Sequence, residues 1–178
     1  ALIHALHSAA QQSANHHGGC LEHAQGSTLY LTWPSASPDA VTAALHSVRH
    51  LHAMLQPALL RNETLAHPLS AYAAIEGGAY LLGIVGESAS RRSVLLGPVA
   101  NDVMGMLSLG AELASPILVG PSAAQAAQTG TGSRAAAVNT DTGTDENSHT
   151  SIGNELQPLG RFLLPDQERA KSLYRLAP

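Results

Sequence analysis

The sequence is poor in several residue types, and each shortage excludes something. Among 178 residues there is a single cysteine, a single phenylalanine, a single tryptophan and a single lysine. Cys20 alone rules out an internal disulfide. In the strand expected around it, it reads as a small buried hydrophobe. With only Phe162 and Trp33 as large apolar rings beside the tyrosines, the interior must be filled mainly by alanine and branched aliphatic side chains. A net charge of −4 with Lys171 as sole lysine leaves no basic face for a nucleic-acid backbone. No apolar run is long enough to span a bilayer, so direct membrane insertion of this segment is not expected. No signal-peptide pattern opens the chain. The expected location is cytoplasmic, alone or within a larger or membrane-attached protein. Helical periodicity is already under way at Ala1, which reads as part of a longer chain.

The apolar pattern organises most of the sequence. Leu2, Ile3, Leu6, Ala9 and Ala10 recur at helical spacing, predicting a helix to about Asn15. His16-His17-Gly18-Gly19 ends it, with glycine supplying a left-handed stop. Cys20 to Gln25 and Thr28 to Trp33 read as strands around a turn at Gly26-Ser27. A second helix starts at Ser37 or Asp39 and runs to about Leu55, with Val41, Leu45, Val48, Leu51, His52 and Leu55 on its inner stripe. Ala71 to Glu76 and Ala79 to Val85 read as strands joined or bent at Gly77-Gly78, and Ser93 to Leu96 as another. Val99 to Leu113 reads as a helix facing inward through Val103, Met106, Leu107 and Leu113. Pro116 to Val119, Leu159 to Leu164 and Ser172 to Leu176 complete the strands. This order suits a helix-backed, largely antiparallel sheet of the α+β class.

Residues 121–155 differ in composition. They are rich in Ala, Thr, Gly, Ser, Gln and Asn and nearly devoid of large apolar residues. A short helix at Ser122 to Gln128 is conceivable; the rest reads as a mobile low-complexity insertion. The expected organisation is therefore a core at 1–120, an insertion at 121–155 and closing strands at 156–178. Thr129-Gly130-Thr131-Gly132-Ser133 lacks the lysine and flanking strand of a phosphate loop, and reads as linker.

Other constellations carry less. His46 and His50 share a helix face, His4 and His7 are three apart, and His16-His17 adjoin the glycine pair. No thiolate or carboxylate motif joins them into the three or four converging ligands that a zinc site needs, so no metal is expected. Asn62-Glu63-Thr64 fits a glycosylation acceptor, a triplet that chance often supplies. Arg91-Arg92 suits a solvated hairpin tip. There is no G-x-S-x-G nucleophile elbow.

Four stretches, in order, resemble the catalytic domain of class III nucleotide cyclases. They are His17-Gly18-Gly19 through Trp33, the alanine-rich Pro38 to Leu55, Ala74-Ile75-Glu76-Gly77-Gly78 through Gly83-Ile84-Val85-Gly86, and Leu95-Leu96-Gly97-Pro98-Val99-Ala100-Asn101. Leu159-Gly160-Arg161 and Tyr174-Arg175-Leu176 are similar to the family's last two strands. The resemblance implies a ferredoxin-like fold and a site shared between two paired domains. In the family, two aspartates hold two metal ions that activate the ribose hydroxyl and neutralise the triphosphate.

Position by position, the resemblance also implies that this machinery is degenerate. The strand bearing the first aspartate does not precede the first helix here. The second aspartate position is Ser27, a neutral hydroxyl. The base-selecting lysine position falls near His23, and its partner aspartate position is Pro98. Asn101 matches the family's ribose-orienting asparagine, although an asparagine at a helix start also serves simply as a cap. The arginine four residues on, which would stabilise charge building on the phosphate, is Gly105. Losing such a clamp costs about two to five powers of ten in rate. Asp102 reads as a first-turn carboxylate favoured by the helix dipole. The expectation is a degenerate cyclase-like domain that pairs with another such domain or sits in a larger assembly, and needs no cofactor. The alternative is the weak half of a heterodimeric cyclase whose partner supplies magnesium or manganese.

Overall fold

The structure is a computed structural model that describes residues 2–35, 38–60, 69–87, 92–137, 151–165 and 167–178. Its elements run α1 (Leu2–His16), β1 (Cys20–Gln25), β2 (Thr28–Thr32), α2 (Pro38–Leu60), β3 (Ala73–Ile75), β4 (Leu81–Val85) and β5 (Arg92–Leu96). They continue with α3 (Pro98–Glu112), β6 (Ile117–Val119), α4 (Pro121–Ala137), a 3-10 turn at Ile152–Glu155, β7 (Gln157–Phe162) and β8 (Lys171–Arg175).

The helix stop at the glycine pair has the expected form. Gly18 takes φ 71°, and the Gly19 N–H donates to the Ala14 carbonyl at 2.8 Å. The chain then enters an antiparallel hairpin, β1 against β2, with Cys20 opposite Thr32, Gln25 opposite Thr28 and a register shift between Leu21 and His23.

The main sheet has the order β3-β6-β8-β7. β3 and β6 are parallel, and the other neighbours are antiparallel. β6 is buried throughout and alternates strictly between two cores. Ile117 and Val119 pack with Leu45 and Val48 of α2, Ala123, Ala124 and Ala127 of α4, Ile152 and Leu176. Leu118 packs on the other side with Met106 of α3, Leu164 and Leu173. Helices thus back both faces of a largely antiparallel sheet. β4 and β5 form a separate two-stranded ribbon.

Several expectations need correction. The strands on either side of Gly77-Gly78 do not continue one another: β3 joins the main sheet and β4 the ribbon. α2 runs through Pro57 to Leu60 rather than ending at Leu55. Leu113 is exposed at the end of α3. Cys20 is exposed, because it opens the hairpin at the edge of β1.

The largest correction concerns the expected insertion. Residues 121–137 are helix α4, including Thr129-Gly130-Thr131-Gly132-Ser133, so that stretch is neither linker nor phosphate loop. Ala123, Ala124 and Ala127 are buried against α2 and β6. Alanine has the highest helix propensity, and its small side chain lets helices approach closely. At these three alanines the small side chain marks tight packing. Ile152, in the 3-10 turn, is buried as well. Residues 138–150, the Asn62-Glu63-Thr64 triplet and Arg91 lie outside the described residues.

Candidate functional site

The hairpin, α2, β3 and α3 enclose a cavity of about 1200 Å³, lined mainly by apolar side chains. Val48, Leu51 and Leu55 of α2 form one wall, and Val99, Val103 and Leu107 of α3 form another. Polar side chains reach it as well, among them Tyr30, Thr32, Tyr72, Tyr80 and Ser122. His52 is buried among the α2 residues, and its Nε2 lies 3.2 Å from the Gln56 amide nitrogen. Burial lowers its pKa, against an opposing contribution from the Ala71 backbone.

Glu76, at the end of β3, is the charged group on the lining. Its Oε1 accepts the backbone N–H of Gly77 at 2.7 Å and of Ala123 at 3.1 Å. The second bond places a carboxylate from a neighbouring strand at the start of α4, where the helix dipole favours negative charge. Burial nevertheless pushes its pKa up; the two N–H bonds and Lys171 oppose the rise, and Asp102 adds to it. Glu76 thus combines a helix-capping role with the environment of a perturbed acid.

Asp102, read from sequence as a first-turn carboxylate favoured by the helix dipole, has a different setting. It is buried on α3, and its Oδ2 takes an ion pair from the Lys171 ammonium on β8. Its Oδ1 is buried without a hydrogen-bond partner. The sole lysine of the chain is therefore spent on an internal charge. Nothing in the helical periodicity marked Asp102 as inward-facing; the one signal was the scarcity of lysine itself.

The residues singled out from the sequence are not gathered into a site. Ser27 is exposed at the hairpin tip. His23 sits opposite Tyr30, its ring centroid 5.8 Å from the tyrosine ring. Tyr30 in turn donates its hydroxyl hydrogen to Met104 Sδ at 3.2 Å, which ties the hairpin to α3. Pro98 starts α3, where a fixed φ and a missing N–H suit the first helical position. Asn101 is exposed on the same turn, and the cap position of α3 is Gly97 rather than Asn101. Among the described residues, no hydrogen bond or ion pair joins Asn101, Ser27 and His23 to one another.

Gly105 is buried and faces away from the large cavity, towards a smaller cleft of about 400 Å³ beside Leu164 and Pro165. A Cβ there would lie 3.1 Å from Pro165 Cδ and 3.4 Å from Leu164 Cβ. The Pro165 ring would have to yield by a few tenths of an ångström to admit a side chain there.

The histidines do form a cluster. His17 lies 6.4 Å from His46 in stacked geometry and 6.1 Å from His50, with His16 at 5.0 Å. Burial lowers the His17 pKa, and His16, His46 and His50 lower it further. His46 is lowered by burial and by Arg49, whose guanidinium also donates to Glu155 at 2.6 Å. Among the described residues, no group of three or more His, Cys, Asp or Glu side chains converges as a metal site.

Solved structures share this architecture. The chain is similar to the adenylyl cyclase CyaB from P. aeruginosa, with a TM-score of 0.69 and 14% identity over 99% of this chain and 81% of that one. It is similar to the guanylyl cyclase Cya2, with a TM-score of 0.66 and 14% identity over 99% of this chain and 78% of that one. A bacterial light-regulated adenylyl cyclase matches with a TM-score of 0.63 and 14% identity over 97% of this chain; the match spans only 43% of that cyclase. No protein-family model and no curated protein matches the sequence. At this level of identity the likeness speaks for architecture, and the chain has the fold of the class III adenylyl and guanylyl cyclase domains.

Proposed function

We propose that the chain is a cyclase-fold domain that pairs with another such domain and does not itself make a cyclic nucleotide. The observation that carries this reading is the β4–β5 ribbon. Leu81, Leu82, Ile84, Val85 and Leu96 all stand exposed on it, with Ile84 72% and Leu81 64% accessible. A contiguous apolar ribbon of this kind marks an interaction surface. Ser27, Pro98 and Gly105 support the other half of the reading, because none supplies the charge that the resemblance calls for. Sedimentation of the purified chain tests the pairing. The expected result is a dimer that Ile84→Lys and Leu81→Lys convert to monomer without loss of helical signal. A wild-type monomer at every accessible concentration and with every cyclase-like partner tried would contradict it.

Exposure of Asn101 on the first turn of α3 favours one second reading. In it, this chain is the weak half of a heterodimeric cyclase and contributes Asn101, while the partner holds magnesium or manganese. Activity of a mixed pair that is unchanged by Asn101→Ala would remove this residue from any mechanism.

A further inference from the structure

Four imidazoles meet where α1 ends against α2. His17 is the hub. His16 lies 5.0 Å from it along α1, and His46 and His50 of α2 lie at 6.4 Å and 6.1 Å, ring centre to ring centre. A spacing of four residues puts His46 and His50 on one face of α2. Arg49, between them, brings its Nη2 to 3.5 Å from His46 Nδ1 and donates through Nη1 to Glu155 of the 3-10 turn. The hairpin also packs on α1, but its ionisable side chains are engaged elsewhere: Glu22 accepts from Thr32, and His23 faces Tyr30. Ala123, Ala124 and Ala127, the α4 residues packed on α2, bring no charge. One guanidinium and four imidazoles thus face one carboxylate that is already bonded to Arg49. Neutral rings pack soundly here, and His46 Nδ1 can accept from Arg49. Charged rings would crowd like charges together. Burial, and then His16, His46 and His50, already hold the His17 pKa low; burial and Arg49 do the same for His46, with Glu155 opposing.

The place is also a mechanical junction. Ser13 Oγ donates to the Ser47 carbonyl at 2.9 Å and lies 3.0 Å from Ser47 Oγ, with both residues buried. This pins α1 to α2 one turn before His17. Beyond the pin, the His17 carbonyl accepts the Trp33 indole N–H at 3.0 Å. The Trp33 ring lies so close to Gly19 that a Cβ there would collide with it. The last turn of α1 therefore anchors the exit of the hairpin. We propose that the histidine cluster is a pH-operated latch: as its imidazoles charge, the last turn of α1 parts from α2 about the Ser13–Ser47 pin and releases Trp33. Histidine is the side chain whose charge changes in the mildly acid range, and clusters of it bias packed junctions in this way.

The inference does not depend on any nucleotide chemistry, and its test involves none. Trp33 is the sole tryptophan, so the full chain gives one indole N–H cross-peak, which is followed by NMR from about pH 7.5 to about pH 5.5. The expected result is a shift towards the position of an unbonded indole, with its midpoint below the ordinary histidine value of 6.5, while far-ultraviolet circular dichroism retains the helical signal. His17→Gln removes the hub charge and should hold the peak in place throughout. His50→Gln, at an exposed position, should move the midpoint to lower pH, and keeps the test decisive if His17→Gln does not fold. His4→Gln, on α1 outside the cluster, should behave as wild type. A peak that does not move in the wild type would overturn the proposal. So would a midpoint unmoved by His17→Gln and His50→Gln, an equal change on His4→Gln, or loss of helical signal at the same pH as the shift.

Discussion

β6 and the β4–β5 ribbon are written in almost the same alphabet, and they meet opposite fates. Ile117, Leu118 and Val119 are wholly buried, whereas Leu81, Ile84, Val85 and Leu96 stand in solvent. The difference is not hydrophobicity. β6 is flanked by β3 and β8 and covered on both faces by helices. The ribbon has its own hydrogen-bond ladder but no equivalent cover. Apolar strands therefore report a demand for cover, and only the fold shows whether one chain meets it.

The contrast can be tested in order of effect. The largest is expected beneath the central sheet at Lys171→Met, which leaves Asp102 buried with neither oxygen paired. Loss of one partner of a buried pair costs about 3–5 kcal/mol. Chemical denaturation should show this, and adding Asp102→Asn should recover part of it. Leu118→Ala, which opens a cavity between β6 and α3, should cost about 2–5 kcal/mol. Ile84→Ala in the ribbon should change monomer stability by no more than about 0.5 kcal/mol while weakening self-association. Equal costs at Leu118 and Ile84 would break the comparison.

The smallest effects are in pH. The raised pKa of Glu76 means that the folded state binds its proton more tightly than the unfolded chain does. Its contribution is full below the ordinary carboxylate value of 4.5 and is lost as pH rises through the folded value. Glu76→Gln should flatten stability across that window. The lowered pKa values of His17, His46 and His52 act oppositely. Their contribution is present above 6.5 and lost as pH falls through the folded values. Denaturation midpoints measured across pH should therefore sag on the acid side of 6.5.

Much of the architecture was legible in the sequence, and for particular reasons. Gly18-Gly19 and the turn at Gly26-Ser27 located the first helix stop and the hairpin, because each depends on local geometry. The Val48–His52–Leu55 stripe of α2 was readable from its period. What escaped depended on contacts distant in sequence. The α4 alanines looked like filler because small side chains carry little signal, yet they pack where larger ones would not fit. Asp102 followed a helix-start pattern, while its burial is set by Lys171, 69 residues away. Glu76 looked like one more strand residue; its capping of α4 requires the parallel pairing of β3 and β6. For the candidate site, the roles of Ser27, Pro98 and Gly105 rest on the resemblance alone, and the packing of Leu164 and Pro165 against Gly105 was not legible in the sequence.

The account turns on a cyclase fold kept for pairing after its charged groups were replaced. The most direct measurement is to incubate the purified chain with ATP or GTP and manganese and separate the products by chromatography. No cyclic nucleotide above the protein-free control is the predicted result. Cyclic AMP or cyclic GMP that accumulates with enzyme concentration and falls with Asn101→Ala would contradict it.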